Sequence, residues 1–178
     1  MALPEDLDDL PASFELRQLH VVDAPLRGYL GDRRLIEQIE DRDFLDRCVA
    51  LLLLVPGPGE LHQLPVLHLG NLVLEQGIAR PAILAAGLPI EETLEASKQL
   101  DSTAIVLSAT MPPAAAETRQ WITACIEAGW ADRIILAGAG FMRSRVYADF
   151  PVRAAAGDFA ATVRYLSDFL NQQPSKEN

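Results

Sequence analysis

The sequence predicts an α/β protein built on a doubly wound parallel sheet. Three observations carry that prediction: short runs of apolar residues, a helical pattern in each gap between them, and glycine- or proline-rich breaks where the runs end. Strands that are apolar on both faces and alternate with helices belong to a parallel sheet covered on both sides. The runs are VALLLLV (49–55), PAILAAG (81–87), TAIVLSA (103–109), RIILAG (133–138) and the weaker VRAAA (152–156). Amphipathic stretches at about 64–76, 89–99, 114–128, 141–148 and 158–171 follow them in turn. This pattern implies a five-stranded flavodoxin-like sheet with strand order 2-1-3-4-5. Its switch point falls between the tips of the first and third strands, where ligands bind in open sheets of this kind.

The α/β part spans residues 48–171, and 172–178 (QQPSKEN) read as a polar tail. Residues 1–47 form an acidic extension in which 13–47 are expected to be short helices. The clearest runs from Asp32, placed to cap it, through Leu35, Ile36 and Ile39 to Phe44.

Composition narrows the function. The 178 residues are 49% hydrophobic and 22% charged, a globular profile. The longest apolar run is far shorter than a membrane span, and MALPEDLDDL lacks the plan of a signal peptide. The expectation is a cytoplasmic protein with reduced core thiols at Cys48 and Cys125. A net charge of −10 and a pI near 4.7 argue against a grip on a phosphate backbone. The basic pairs Arg33–Arg34 and Arg143/Arg145 read as solvated faces. Any effect on DNA would therefore run through a protein partner.

Several chemistries lack their motifs. A phosphate-acceptor receiver needs a carboxylate at the third strand's tip, which reads Ser108-Ala109-Thr110. No Walker loop and no GxSxG elbow is present, and the glycine patterns at Gly57 and Gly138 fail to complete GxGxxG at His62 and Arg143. No acid–base pair marks the chain as an enzyme.

What stands out is GPGELHQLP (57–65), which stops the first apolar run and sets Glu60 two residues before His62. A carboxylate that accepts one ring N–H of an imidazole fixes its tautomer and raises the basicity of the other nitrogen, as around metals. A protein-only zinc site needs three or four ligands. The other histidines are His20, read as a surface residue, and His68, read as structural in LPVLHLGNLVLEQ. One protein ligand suffices where a tetrapyrrole fills the other positions.

GELHQLP is similar to the Asp-x-His-x-x-Gly signature of cobalamin-binding domains, and to their regulatory branch, which often carries Gly-Glu-x-His there. That branch includes the AerR- and CarH-like regulators and the related haem-binding SCHIC sensor domains. AAGLPIEETLEA (85–96) resembles the turn after the family's second strand, SATMPP stands where the family has Ser-x-Leu, and GAG (138–140) where it has Gly-Gly. The intervals from Pro65 to Ser108 and from Thr110 to Gly138 look like the family's spacing.

The resemblance implies that His62 is the lower axial ligand of cobalt, with Glu60 as its hydrogen-bonded partner and Gly59 beside them among the cofactor-binding residues. Ser108 and Thr110 would line the slot for the displaced nucleotide tail, and Gly138 and Gly140 would admit backbone close to it. Three positions depart from the family: Pro65 for glycine, Thr110 for leucine and Ala139 for glycine. The stretch before residue 48 is short for the helical cap of CarH-like photosensors, and both tryptophans, Trp121 and Trp130, lie downstream. No MerR-type helix-turn-helix is seen, which fits AerR-like antirepressors better. The implied function is a cobalamin-binding sensory module acting on a protein such as a transcriptional regulator. A haem sensor on the same fold and a non-binding interaction scaffold remain open. A methyl carrier fits less well, since such carriers resemble Asp-x-His-x-x-Gly-x-Asn and residues 65–67 here are Pro-Val-Leu.

Overall fold

The computed structural model describes residues 19–21, 50–155 and 157–173. Its elements in chain order are β1 (Leu19–Val21), β2 (Leu51–Pro56), α1 (Leu64–Glu75), β3 (Arg80–Leu84), α2 (Ile90–Gln99) and β4 (Ala104–Ser108). There follow α3 (Ala115–Glu127), β5 (Ile134–Ala137), α4 (Ala139–Ser144), a 3-10 turn (Val146–Asp149), β6 (Arg153–Ala155) and α5 (Phe159–Asn171).

The sheet order is β1-β3-β2-β4-β5-β6, and every pairing is parallel except β1 with β3. The five parallel strands thus have the expected order 2-1-3-4-5. β2 is flanked by β3 on one side and β4 on the other, so the switch point lies between the tips of β2 and β4.

Alternation along the buried strands divides the core into two layers. Leu53 and Val55 of β2, with Ile105 and Leu107 of β4, pack under α2 and α3 against Trp121, Ile122 and Trp130. Leu52 and Leu54, with Val106 and Ile135, pack under α1 and α5 against Val66, Leu69, Val163 and Leu166. Each of these aliphatic side chains contributes roughly 1.5–3 kcal/mol by burial. Gly70 lets α1 lie directly on the sheet, since a Cβ there would stand 2.9 Å from Ile83 Cδ1.

Two expectations need correction. The sequence predicts short helices in the extension over 13–47, but Leu19–Val21 form an antiparallel edge strand in register with Leu84, Ile83 and Ala82. Three residues are too few for a period to show in sequence. The expected helix from Asp32 to Phe44, Cys48 and the end of the polar tail lie outside the described residues. The single helix expected over 141–148 is instead α4 and a 3-10 turn. Arg145, with a left-handed φ of 51°, breaks it in the middle. Among the described residues, no helix is long and apolar enough to cross a membrane.

Candidate functional site at the β2–β4 switch point

The loop after β2 owes its shape to its glycines and prolines. Gly57 N–H donates to Ser108 C=O at 2.7 Å, which extends the β2–β4 ladder by one rung. The chain then reverses: Glu60 N–H donates to Gly57 C=O at 2.9 Å, with Pro58 second in the turn and Gly59 third at φ +70°. Proline followed by a positive-φ glycine is the sequence signature of a type II turn. The turn returns Glu60 over the strand tips, where it is buried, while Leu61 and His62 stay exposed. Pro65 lies in the first turn of α1, where a missing N–H costs nothing.

Glu60 spans the switch point. Its Oε1 accepts His62 N–H at 2.9 Å and contacts His62 Nδ1 at 2.5 Å. Its Oε2 accepts Thr110 N–H at 2.7 Å and the Thr110 hydroxyl, with Met111 N–H at 3.4 Å. Burial alone would push this carboxyl's pKa up. The hydrogen bonds from Thr110 and His62 outweigh it and hold the pKa near 2, below the ordinary 4.5. An ionised carboxylate only accepts, so His62 Nδ1 carries the proton and Nε2 keeps the lone pair. The His62 side chain is 68% exposed.

The same two loops expose apolar side chains that proteins usually cover: Leu61, 79% exposed, and Leu64, 60%, flank His62 in sequence, and Met111, 62%, follows Thr110. Among the described residues no cluster of three or more His, Cys, Asp or Glu side chains could hold a metal ion. A basic nitrogen on an oriented, exposed ring, in loops that also expose apolar side chains, fits the face of a metallated tetrapyrrole.

The other residues picked out from sequence converge on the same edge, with different local roles. Ser108 ends β4, buried, on the layer shared with α1 and α5. The Thr110 hydroxyl, expected to face a nucleotide tail, donates to Glu60. Gly138 and Gly140 are required by protein backbone: a Cβ would stand 2.4 Å from Ala109 O at Gly138 (φ +91°) and 2.1 Å from Met111 O at Gly140. Gly140 N–H also donates to Ala109 C=O at 2.8 Å. Ala139 is exposed, so its methyl is accommodated where the resembling motif has glycine. Leu61, Leu64 and Met111 were not singled out from sequence. Apolar residues in a loop look like ordinary core until their exposure is seen.

No family model matches the sequence, and no curated protein matches it. Solved structures do. A cobalamin-binding protein from Desulfitobacterium hafniense aligns with a TM-score of 0.58 at 16% identity, over 67% of this chain and 58% of that one. The monomethylamine corrinoid protein of Methanosarcina barkeri aligns with a TM-score of 0.57 at 14% identity, over 75% and 62%. The methanol:cobalamin methyltransferase complex of the same organism aligns with a TM-score of 0.59 at 14% identity, over 69% and 47%. The chain thus spans about half to three-fifths of the length of these proteins. At such identities the likeness is one of fold: this chain has the flavodoxin-like architecture of proteins described as binding cobalamin or corrinoids.

Proposed function

We propose that the chain is a cobalamin-binding module in which His62 Nε2 is the lower axial ligand and Glu60 its orienting partner. The observation that carries this reading is the pair itself. A buried, ionised carboxylate holds Nδ1 and leaves Nε2 on an exposed ring, in loops that also expose Leu61, Leu64 and Met111. The fold likeness to cobalamin and corrinoid proteins supports it. When bound, the corrinoid would supply the cobalt chemistry and any light or redox response. The chain's own part is to orient the ligand histidine and to seat the face of the ring. Glu60, saturated with donors and ionised down to about pH 2, is a positioning group and a poor proton shuttle. The module would thus act by presenting its ligand to a protein partner. A transcriptional regulator is the partner that the resemblance to the regulatory branch suggests, and one of the similar structures is a complex with a methyltransferase.

Haem on the same histidine is the second reading. Thr110 favours it, because a hydroxyl expected to meet a nucleotide tail is engaged with Glu60 instead. The experiment is an absorption spectrum after incubation with hydroxocobalamin, adenosylcobalamin or haem and desalting, for wild type and His62→Ala. Retained cobalamin with a His62-dependent shift is the expected result, and His62-dependent haem retention selects the second reading. A colourless protein in every case rejects both.

A further inference from the structure

β1 fixes where the chain before it emerges. It runs antiparallel to β3, with Leu19 opposite Leu84 and Val21 opposite Ala82. Leu84 is the last residue of β3, so Leu19 stands at the strand-tip edge, the edge that carries Glu60 and His62. Residues preceding Leu19 therefore leave the sheet beside the candidate site. In the sheet β1 is two strands from β2 and four from β5, about 10 Å and 19 Å at the usual strand spacing.

Two features of that edge lack a counterpart among the described residues. Leu61, Leu64 and Met111 are largely exposed, in the two loops that Glu60 joins. Beyond β5, Arg143 on α4 and Arg145 after it are exposed, and among the described residues no carboxylate pairs with either. The stretch EDLDDLPASFELRQ (5–18) holds both complements in the matching order. Leu16 and Phe14 come just before β1, and the five residues from Phe14 to Leu19 reach about 17 Å when extended, enough for the β2 tip. Asp8 and Asp9 come earlier, and the ten residues from Asp9 to Leu19 reach roughly 33 Å, which passes the β5 tip. Apolar side chains thus fall within range of the apolar loops, and carboxylates within range of the arginines.

We infer that residues 5–18 of this chain dock across the strand tips when no ligand is bound. Phe14 and Leu16 cover Leu61, Leu64 and Met111, and Asp8 and Asp9 lie toward Arg143 and Arg145. The segment competes with the ligand for one seat. Removing exposed apolar surface from water drives the docking, and the screened ion pairs at its far end add direction more than strength. The cover itself rests on β1, the loops and the sequence; its competition with a corrinoid rests on the reading above.

The test reads Met111 in the full-length chain without ligand. Dilute peroxide oxidises an exposed methionine to its sulfoxide, and peptide mass spectrometry reports each methionine separately. Phe14→Ser with Leu16→Ser should speed Met111 oxidation about tenfold if the seat is open about a tenth of the time, and should tighten hydroxocobalamin binding by the same factor. Met142, half-buried on α4, should oxidise at the same rate in both forms, which separates release of the segment from loss of fold. Arg143→Glu with Arg145→Glu should move Met111 and hydroxocobalamin in the same directions by less. Equal Met111 rates in wild type and Phe14→Ser/Leu16→Ser overturn the inference and leave the His62 reading standing. Protection of Met111 that grows with protein concentration also overturns it, since the segment would then come from a second copy. So does weaker corrinoid binding on release, the sign of a lid over a bound ring. Faster Met111 oxidation with no corrinoid retained by either form upholds the cover and removes the corrinoid reading.

Discussion

The Glu60 carboxylate accepts the Thr110 amide at 2.7 Å across the crevice between the β2 and β4 tips. In most open α/β sheets that crevice is left for the ligand. Here a protein carboxylate crosses it, and the histidine it orients stands outside. The joining of the two loops and the orientation of the His62 ring therefore depend on one side chain.

Glu60→Gln should separate these two roles from simple loss of fold. The amide keeps the size but presents an NH2 toward donors on Thr110, Met111 or His62, leaving at least one of them unpaired. The expected destabilisation is about 2–3 kcal/mol by denaturant titration, in the range for a buried charge-assisted network. His62→Ala, at an exposed position, should change stability by no more than about 0.5 kcal/mol. A small effect of Glu60→Gln would mean that the bridge between the loops contributes little.

The same carboxylate predicts an acid limit. Its folded pKa, near 2, lies below the ordinary 4.5, so the unfolded chain binds a proton more readily. Its stabilising contribution is complete above about pH 4.5 and fades as pH falls toward 2. A difference of 2.5 units, 4.5 minus 2, sets the contribution on the order of 3 kcal/mol. Stability measured between pH 6 and pH 2.5 should fall less steeply in Glu60→Gln than in wild type. Parallel pH curves would show that other carboxyls dominate the acid transition.

The glycines give a graded series. Gly140→Ala places a methyl 2.1 Å from Met111 O, and Gly138→Ala places one 2.4 Å from Ala109 O at a positive φ. Both obstacles are backbone, so neither can swing aside, and losses of at least about 3 kcal/mol are expected. Gly59→Ala meets nothing closer than 3.9 Å and bears only its φ of +70°, for about 1 kcal/mol. Thermal melts of the three variants should rank them in that order. A mild Gly140→Ala would mean that the loops after β4 and β5 are not held together.

How much of this was legible beforehand differs by level. The parallel strands could be read because doubly buried runs such as LLLLV and AIVL leave no polar alternation, and Gly or Pro closes each one. The antiparallel β1 could not, since LHV carries no period. In the helix expected over 141–148, the break depends on one residue, Arg145, whose left-handed conformation no residue preference announces. At the site, the pairing of Glu60 with His62 follows from spacing alone. Thr110 as the third member does not, because it lies in the loop after another strand, β4, and the contact depends on the β2–β4 register. Register likewise hid that Gly138 and Gly140 serve the β4 loop. From sequence, a glycine needed by backbone and one needed by a ligand look alike.

Cys125 offers a probe of how tightly the layer under α3 is closed. Its side chain is fully buried, packed with Trp121 and Trp130, and burial pushes the thiol up to about 12 from 9.0. The thiolate is the reactive form, so at pH 8 its population falls about a thousandfold below that of an ordinary cysteine. In a Cys48→Ser background, Ellman's reagent should find no reactive thiol in the native protein and one in guanidinium. At intermediate denaturant the rate should follow the unfolded fraction measured by tryptophan fluorescence, since Trp121 and Trp130 share the cluster. Labelling that outruns the fluorescence change would reveal local opening of α3 ahead of global unfolding. That outcome would also limit how far the Glu60 bridge, at the strand tips, stabilises the layer beneath.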